Sequence, residues 1–149
     1  MSLRNRLLLR WMSVYPPYVG AGVRVRVVGR APLVFETRMK LRWWNRNYVG
    51  THYGGSLYTM CDPFHMLILI DALGSEFVVW DKAATIRFRR PGRGTVRARF
   101  EIPPPRIDEI RSQARAAGRA EPSFTARVLD AAGEVVAEVE KLVSVRLRP

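Results

Sequence analysis

Apolar and polar residues alternate along most of this chain with the period of two that is typical of a half-buried strand. Residues 22–30 and 33–42 alternate in this way on either side of Pro32, and the period returns at 77–90. A fourth alternating segment, residues 95–103, follows Pro91-Gly92. Two more, residues 123–130 and 135–148, lie on either side of a turn at Asp130–Gly133. The pattern therefore predicts six strands.

Three segments follow helical spacing instead. Residues 1–16 carry one apolar stripe and predict an amphipathic first helix, which a turn at Pro16-Pro17 and Gly20 would end. Between Gly54-Gly55 and Gly74 the apolar residues surround most of the segment, as in a helix buried on several sides, and Pro63 should kink or restart it. Residues 105–117 are mostly polar and predict a short surface helix.

The order of these elements indicates an α+β fold in a single domain over residues 1–149. A mostly antiparallel sheet would carry one long apolar helix, with the extra N-terminal helix before it. Because such a sheet leaves an edge strand open, we expect that edge to be paired or covered.

Charge and composition restrict the partners. The chain has 25 Lys and Arg against 13 Asp and Glu, a net charge of +12, which favours an anionic partner. Many arginines alternate with apolar residues inside the predicted strands, however, and no nucleic-acid-binding motif is present, so nucleic acid is not the favoured partner. The apolar run Phe64–Ile70 is far shorter than the roughly 20 residues of a membrane span.

Composition also excludes a disulfide framework and a thiolate cluster that could hold a structural metal. Cys61 is the one cysteine, so no internal disulfide can form, and this usage fits a cytoplasmic protein. His52 and His65 have no carboxylate cluster near them in sequence, so we expect no metal site. Cys61 and His65 are both interpreted as packing residues of the central helix.

The segment from Asn47 to Asp62 carries the strongest functional signal. Gly54 follows Asn47 by seven positions, and Asp62 follows Gly54 by eight. This stretch resembles the Asn…Gly…His-Gly-Gly…Asp signature of the phenylacetyl-CoA and medium-chain acyl-CoA thioesterases of the hotdog superfamily. With VVWDKAATIRFRRPGRG after it, the stretch is similar to a thioesterase-like hotdog family that also occurs fused to acetyltransferase domains. The resemblance covers nearly the whole chain.

The resemblance implies a fold, an assembly and an activity. The fold would be a curved sheet wrapped around the central helix, and its open edge would pair with that of a second copy across a two-fold axis, which gives a dimer or tetramer. The activity would be hydrolysis of an acyl-CoA thioester at a site shared between two subunits. Asp62 would be the base or nucleophile and would face the partner's glycine turn. Asn47 would orient the substrate carbonyl or the lytic water.

Elementary chemistry is compatible with these roles. A glycine pair at a helix start leaves N–H groups free, and those of Gly54 and Gly55 could hold the oxyanion of thioester hydrolysis. Asp62 would lie two turns further along, on about the same helix face. Both features also have a purely structural interpretation: the glycines could form a tight turn, and Asp62 could be an ordinary residue before proline.

One position departs from the signature. Tyr53 stands where the family has histidine, and His52 is one place earlier. A tyrosine hydroxyl can donate a hydrogen bond but is a poor base near neutral pH. An alternative function is therefore a non-catalytic module that binds acyl-CoA or lipid.

The remaining candidate residues would bind substrate, together with His52 and Tyr53. Asp81 and Lys82 occupy the strand expected beside the helix start, as active-site groups or as a buried ion pair that serves structure. Arg89, Arg90 and Arg93 surround Pro91-Gly92 and could hold the phosphates of coenzyme A, or form a solvated hairpin tip. No cofactor is expected beyond the coenzyme A of the substrate.

Overall fold

The computed structural model describes residues 11–148. Most of the predicted first helix, residues 1–16, therefore lies outside the described residues. Within them, Met12–Val14 form a 3₁₀ turn and Pro16–Ala21 form helix α1. The turn predicted at Pro16-Pro17 is wrong, because proline fits the first positions of a helix, where no N–H partner is needed. Gly22, with φ of 76°, ends α1.

The strands form one antiparallel sheet. They are β1 (Val23–Arg30), β2 (Leu33–Lys40), β3 (Phe77–Phe88), β4 (Thr95–Phe100), β5 (Arg119–Ala120), β6 (Ser123–Leu129) and β7 (Val135–Leu147). Their order across the sheet is β1-β2-β4-β6-β7-β3, and β5 also pairs with β7. All six predicted strands are present. The seventh, β5, has two residues and is too short to show a period.

Strands β3 and β4 follow each other in sequence but are not neighbours in the sheet. β3 pairs with β7, whereas β4 lies between β2 and β6. The hairpin tip considered for Pro91-Gly92 is therefore wrong, and the connection between β3 and β4 passes β7 and β6, the two strands that lie between them in the sheet. The N–H of Arg89 donates to Val136 O at 2.8 Å and holds the start of this connection against β7.

The central helical segment is interrupted, as Pro63 predicted. Helix α2 spans Gly54–Thr59 and helix α3 spans Phe64–Leu73, and the residues between them form turns. The surface helix is also present as α4 (Pro104–Ala117), with only Ile107, Ile110 and Ala114 buried.

Helix α3 packs against the sheet through aromatic residues. The Phe64 ring is fully buried and stacks on Phe100, with ring centroids 4.6 Å apart, and its centroid lies 5.2 Å from that of Phe35. The hydroxyl of Thr37 on β2 donates to Met60 O at 2.9 Å. These contacts fix the turn between α2 and α3 over the inner face of the sheet.

The two end strands of the sheet differ. Ser13 covers part of the β1 edge, because its hydroxyl both accepts from Val25 N at 3.0 Å and donates to Val25 O at 3.2 Å. β3 pairs within residues 11–148 only with β7, and residues 82–85 in its middle are all exposed. β3 thus offers an open edge for strand pairing. None of the helices between residues 11 and 148 has the length and apolar character needed to cross a membrane.

Candidate functional site

Asp62 lies in the turn between α2 and α3. The expectation that it shares a helix face with Gly54 is wrong, because α2 ends at Thr59. Asp62 N donates to Thr59 O at 3.3 Å, and the hydroxyl of Tyr18 donates to Asp62 O at 2.5 Å. The six residues of α2 are about 9 Å long at 1.5 Å each, so Gly54 and Asp62 of one chain lie at opposite ends of that helix.

The Asp62 carboxylate is bound by a lysine that the sequence analysis did not single out. Lys141 on β7 forms an ion pair with Asp62 Oδ1 and a second one, of 2.7 Å, with Asp81 Oδ2. Its ammonium also donates to the hydroxyl of Tyr58 at 3.1 Å. The Lys141 side chain is 1% exposed, whereas that of Asp62 is 41% exposed. We call these four residues, Tyr58, Asp62, Asp81 and Lys141, the lysine cluster.

A sequence signal for Lys141 exists. In β7 the residues Val139, Val143 and Val145 are buried, and Lys141 lies at the matching alternate position. A lysine is almost never fully buried unless a partner compensates its charge. A charged residue at an inward position therefore marks an ion cluster, although the strand alone does not identify the partners.

Burial and pairing shift the pKa values of these groups in opposite directions. Burial alone would lower the pKa of Lys141, but hydrogen bonds with Asp62, Asp81 and Tyr58 outweigh it and raise the pKa, so the side chain is an ammonium at neutral pH. Burial raises the pKa of Asp81, and the hydrogen bond from Lys141 opposes the effect. Asp81 Oδ1 is buried without a hydrogen-bond partner in the described chain.

A cavity of about 560 Å³ lies at the other end of α2. It brings together six of the predicted site residues: Asn47, His52, Gly54, Arg89, Arg90 and Arg93. Phe88 also lines it, and its ring lies so close to Gly54 that a Cβ there would be 2.9 Å from Phe88 Cζ. Glycine at position 54 therefore makes room for this aromatic ring.

The start of α2 leaves two amide groups unused. The N–H groups of Ser56 and Leu57 donate to Tyr53 O, at 3.0 and 3.1 Å. Within residues 11–148, those of Gly54 and Gly55 have no backbone acceptor. Tyr53 itself is 59% exposed, and its ring lies beside Gly55.

Asn47 shapes its own loop. Its amide group donates to Thr51 Oγ1 at 2.8 Å and to His52 O at 3.3 Å, and its Oδ1 accepts from the N–H groups of Val49 and Thr51. An asparagine side chain has two N–H donors and one carbonyl oxygen, so this set uses most of its capacity. The amide thereby places the loop that leads into α2.

His52 faces inward. It is 2% exposed, and its Nε2 lies 3.1 Å from Gly94 O. Burial lowers the pKa of His52, so the ring is neutral near neutral pH, and in the tautomer with a proton on Nε2 it donates to that carbonyl. The ring therefore ties the loop before α2 to the connection between β3 and β4.

The basic candidates differ in their partners. Arg89 pairs with Glu138 at 3.1 Å and Arg90 pairs with Glu134 at 2.9 Å. Among the residues that the structure describes, Arg93 forms no ion pair. Asp81 and Lys82 do not pair with each other, because Lys82 points outward and binds Glu121 at 2.9 Å. The buried ion pair considered for Asp81 is instead the one with Lys141.

The two residues interpreted as packing groups lie in the core. Cys61 is fully buried, and burial raises the pKa of its thiol to about 12. His65 is 4% exposed and stacks on Phe124, with ring centroids 4.9 Å apart. No group of three or more His, Cys, Asp or Glu residues suited to a metal ion occurs in residues 11–148.

Comparisons with known proteins agree on one fold. A family model described as "Domain of unknown function (DUF4442)" matches residues 4–145. The structure is similar to that of a Pseudomonas aeruginosa protein of unknown function described as a "Probable Thioesterase", with 29% identity over 99% of both chains and a TM-score of 0.85.

Two more distant structures share the fold. A protein of unknown function from Chlorobaculum tepidum has 15% identity over 97% of this chain and 95% of its own, with a TM-score of 0.75. A Haemophilus influenzae thioesterase has 14% identity over 99% and 92%, with a TM-score of 0.67. No curated protein matches the chain. The fold is thus the hotdog fold of thioesterase-like proteins.

The buried His65 predicts a dependence of stability on pH. Burial and, second, the charge of Lys141 lower the pKa of His65 from 6.5 to about 4. The unfolded chain therefore binds a proton in the range where the folded protein does not, and the free energy of unfolding falls as the pH drops from about 6.5 towards 4. Between pH 7 and pH 5 the loss from this one group is about 2 kcal/mol.

Urea denaturation of the wild type and of His65→Phe at both pH values measures this effect. Phenylalanine retains the stacking on Phe124 but cannot take up the proton, so the variant should lose about 2 kcal/mol less than the wild type. Equal losses in the two proteins would show that His65 is not the group responsible.

Proposed function

We propose that this chain, which belongs to the family described as a domain of unknown function (DUF4442), is an acyl-CoA thioesterase whose site is shared between two subunits. The observation that carries the proposal is the environment of Asp62. The carboxylate stands at the position of the thioesterase signature, is partly open to solvent, and is held by a buried ammonium. A fixed and accessible carboxylate suits a base or a nucleophile.

The separation of Asp62 from Gly54 favours a shared site. The two groups are about one helix length apart in a single chain, so they cannot act on the same carbonyl there. A second subunit can bring its own Gly54 to Asp62 if the open edges of two β3 strands pair.

Strand β3 connects to both halves of the site. Asp81 near its start contacts Lys141, which binds Asp62, and Phe88 at its end contacts Gly54. In an antiparallel pairing of two copies of β3, Asp81 can lie opposite the partner's Phe88 when the two-fold axis passes between Ala84 and Thr85. This register brings each lysine cluster towards the partner's glycine turn.

Asp62 would then act on a water molecule or directly on the thioester. As a base, the carboxylate takes a proton from water while the water oxygen bonds to the carbonyl carbon. The N–H groups of Gly54 and Gly55 stabilise the resulting oxyanion. When the C–S bond breaks, the proton passes to the departing thiolate. Lys141 holds Asp62 Oδ1, so Oδ2 is the oxygen that faces the substrate.

Coenzyme A would approach through the cavity at the start of α2. Its phosphates need cationic partners, and arginine binds phosphate through two parallel N–H groups. Arg93 is the best candidate on this rim because Arg89 and Arg90 already bind glutamates. His52 lines the same cavity, whereas Tyr53 lines a neighbouring one together with Gly55 and Ser56.

A binding module without catalysis is the alternative function. It is favoured by the ion pair itself, because a carboxylate already bound to an ammonium can be a purely structural group. Tyr53 in the histidine position and the hydrogen-bonded Asn47 point the same way. Binding of acyl-CoA without turnover would support this alternative.

Asp62→Asn should abolish most turnover while the fold and binding remain. The amide keeps the size of the side chain but cannot accept a proton, so kcat for acyl-CoA hydrolysis should fall by about 10²–10⁴. Asp108→Asn, which makes the same change at an exposed site on α4, is the matched control and should retain wild-type turnover.

Thiol release over a panel of acyl-CoAs measures this prediction, and Asn47→Ala should lose less than Asp62→Asn. Wild-type turnover in Asp62→Asn would exclude Asp62 as the catalytic group. If neither protein hydrolyses any acyl-CoA but both bind it, the alternative function replaces the proposal.

A mixture of two inactive variants tests whether the site is shared. Asp62→Asn removes the carboxylate of one half of the site, and Gly54→Ala places a methyl group where the thioester carbonyl must approach the backbone N–H of the other half. That methyl also meets Phe88, whose exposed ring can move, so the fold should remain. In a mixed dimer, one site combines an intact Asp62 with an intact Gly54 from the other subunit. A refolded equal mixture should therefore regain about a quarter of wild-type activity, because half of the dimers carry one good site of two.

Sedimentation of the wild type provides the control for assembly. A stable monomer at micromolar concentration, or a mixture that stays inactive although both variants fold and exchange subunits, would contradict the shared site.

Two substrates can test whether Arg93 binds the phosphates of coenzyme A. Arg93→Gln should raise KM for an acyl-CoA about tenfold, because a charge-assisted hydrogen bond is lost, and should hardly change KM for a pantetheine thioester without the nucleotide. Arg106→Gln on α4, whose arginine binds Glu109, is the matched control. Equal effects on both substrates would mean that Arg93 serves the fold; we expect smaller effects from Arg89 and Arg90.

A further inference from the structure

Three arginines form a row across the outer face of the sheet. In the strand register, Arg24 of β1 is paired with Arg38 of β2, and Arg38 is paired with Arg97 of β4. All three are exposed, whereas their neighbours Val23, Met39 and Val96 are buried on the inner face. Adjacent strands are about 4.8 Å apart, so the row is about 10 Å long. We call it the arginine row.

The row is electrostatically unfavourable in the free protein. Like charges directly opposite each other on neighbouring strands are destabilising. Other arginines of the sheet lie beside glutamates: Arg99, next to the row, binds Glu36 at 2.8 Å, and Arg87 binds Glu140 at 2.7 Å.

Within residues 11–148 the arginine row has no ion pair with any acidic side chain. Residues 1–10 contain no Asp or Glu and cannot supply one. The positive charge of the row is therefore not compensated by acidic residues of the chain, whereas the charge of the neighbouring Arg99 is.

The arginine row lines a cleft of about 500 Å³. Two further arginines, Arg26 and Arg99, lie around it, and Glu36 is its one acidic lining residue. The cleft reaches Leu129 of β6, and the register of β4 with β6 consists of the single pair Arg97–Leu129. A cleft of this volume is in the range of small-molecule sites.

We propose that this cleft binds an anion with several linked phosphate groups, of the nucleotide or oligophosphate class, at a site separate from the lysine cluster. Arginine binds phosphate oxygens through its planar fork, and three guanidinium groups in a row need more negative charge than one carboxylate carries. The cleft itself has no aromatic lining residue on which a base could stack; Trp44 lines an adjoining cavity that shares Arg24 and Arg38 with it. A short oligophosphate is therefore the occupant that fits its lining.

The two faces of the sheet separate this site from the proposed thioesterase site. Thr37 and Met39 point inward on β2, with Arg38 outward between them. The lysine cluster lies on the inner side, on β7, β3 and the turn before α3. The cleft therefore does not depend on whether the chain hydrolyses thioesters.

Calorimetric titration with inorganic tripolyphosphate tests the proposal. Arg38→Gln removes the middle of the arginine row and should weaken binding about tenfold or more. Arg87→Gln is the matched control, because it makes the same change of charge on the same sheet, outside the cleft, and should bind like the wild type.

Thermal melting separates a binding site from a structural role. Since Arg38→Gln relieves repulsion, the variant without ligand should melt at the wild-type temperature or above. Tripolyphosphate should raise the melting temperature of the wild type and of Arg87→Gln more than that of Arg38→Gln. A lower melting temperature for unliganded Arg38→Gln would show that the row supports the fold and would overturn the proposal.

Three further results would also overturn it. Equal weakening in Arg38→Gln and Arg87→Gln would mean attraction to overall charge alone. A single-stranded oligonucleotide that binds more tightly than tripolyphosphate, and loses its binding in Arg38→Gln, would identify a nucleic-acid surface instead. A rise in KM for acyl-CoA in Arg38→Gln, with turnover of a pantetheine thioester unchanged, would assign the cleft to the substrate.

Discussion

The buried ammonium of Lys141 constrains much of this structure. A lysine inside a protein is tolerated only when nearby groups compensate its charge, since the loss of hydration costs several kcal/mol. Here the compensation comes from Asp62 in the turn before α3, Asp81 on β3 and Tyr58 on α2. One cation therefore joins the two outermost strands at that end of the sheet, β7 and β3, to the interrupted helix above them.

The need to compensate the charge of Lys141 also places the carboxylates of the proposed site. Two carboxylates share one ammonium, and Asp81 Oδ1 is buried without a hydrogen-bond partner, so residues 11–148 do not fully meet the polar requirements of the lysine cluster. Incomplete satisfaction of buried polar groups is costly for stability and is common where a ligand or a partner completes the site. The open edge of β3 runs past Asp81, and the second subunit of the proposed shared site would lie beside it.

Charge is distributed differently on the two faces of the sheet. Inside, the carboxylates of Asp62 and Asp81 outnumber the single lysine, whereas outside the arginines exceed the glutamates that accompany them. The net charge of +12 is therefore not spread evenly over the solvated surface. It is partly concentrated in one cleft, where the strand register sets arginine opposite arginine, and this pattern gives the outer face a chemistry of its own.

The sequence by itself determined six of the strands, the buried helix and its interruption at Pro63, and it pointed to the stretch from Asn47 to Asp62 as a candidate site. These features are local, because strand alternation, helical spacing and the backbone of proline depend on neighbours within a few positions. Tertiary structure decided which distant residues became neighbours. Lys141 is 79 positions from Asp62, and their ion pair depends on β7 packing beneath the turn before α3. Likewise, Arg24, Arg38 and Arg97 belong to separate predicted strands, and only the order β1-β2-β4 and its register align them. The sequence pattern shows which face of a strand is buried, but the partner across a sheet depends on the packing of the whole chain.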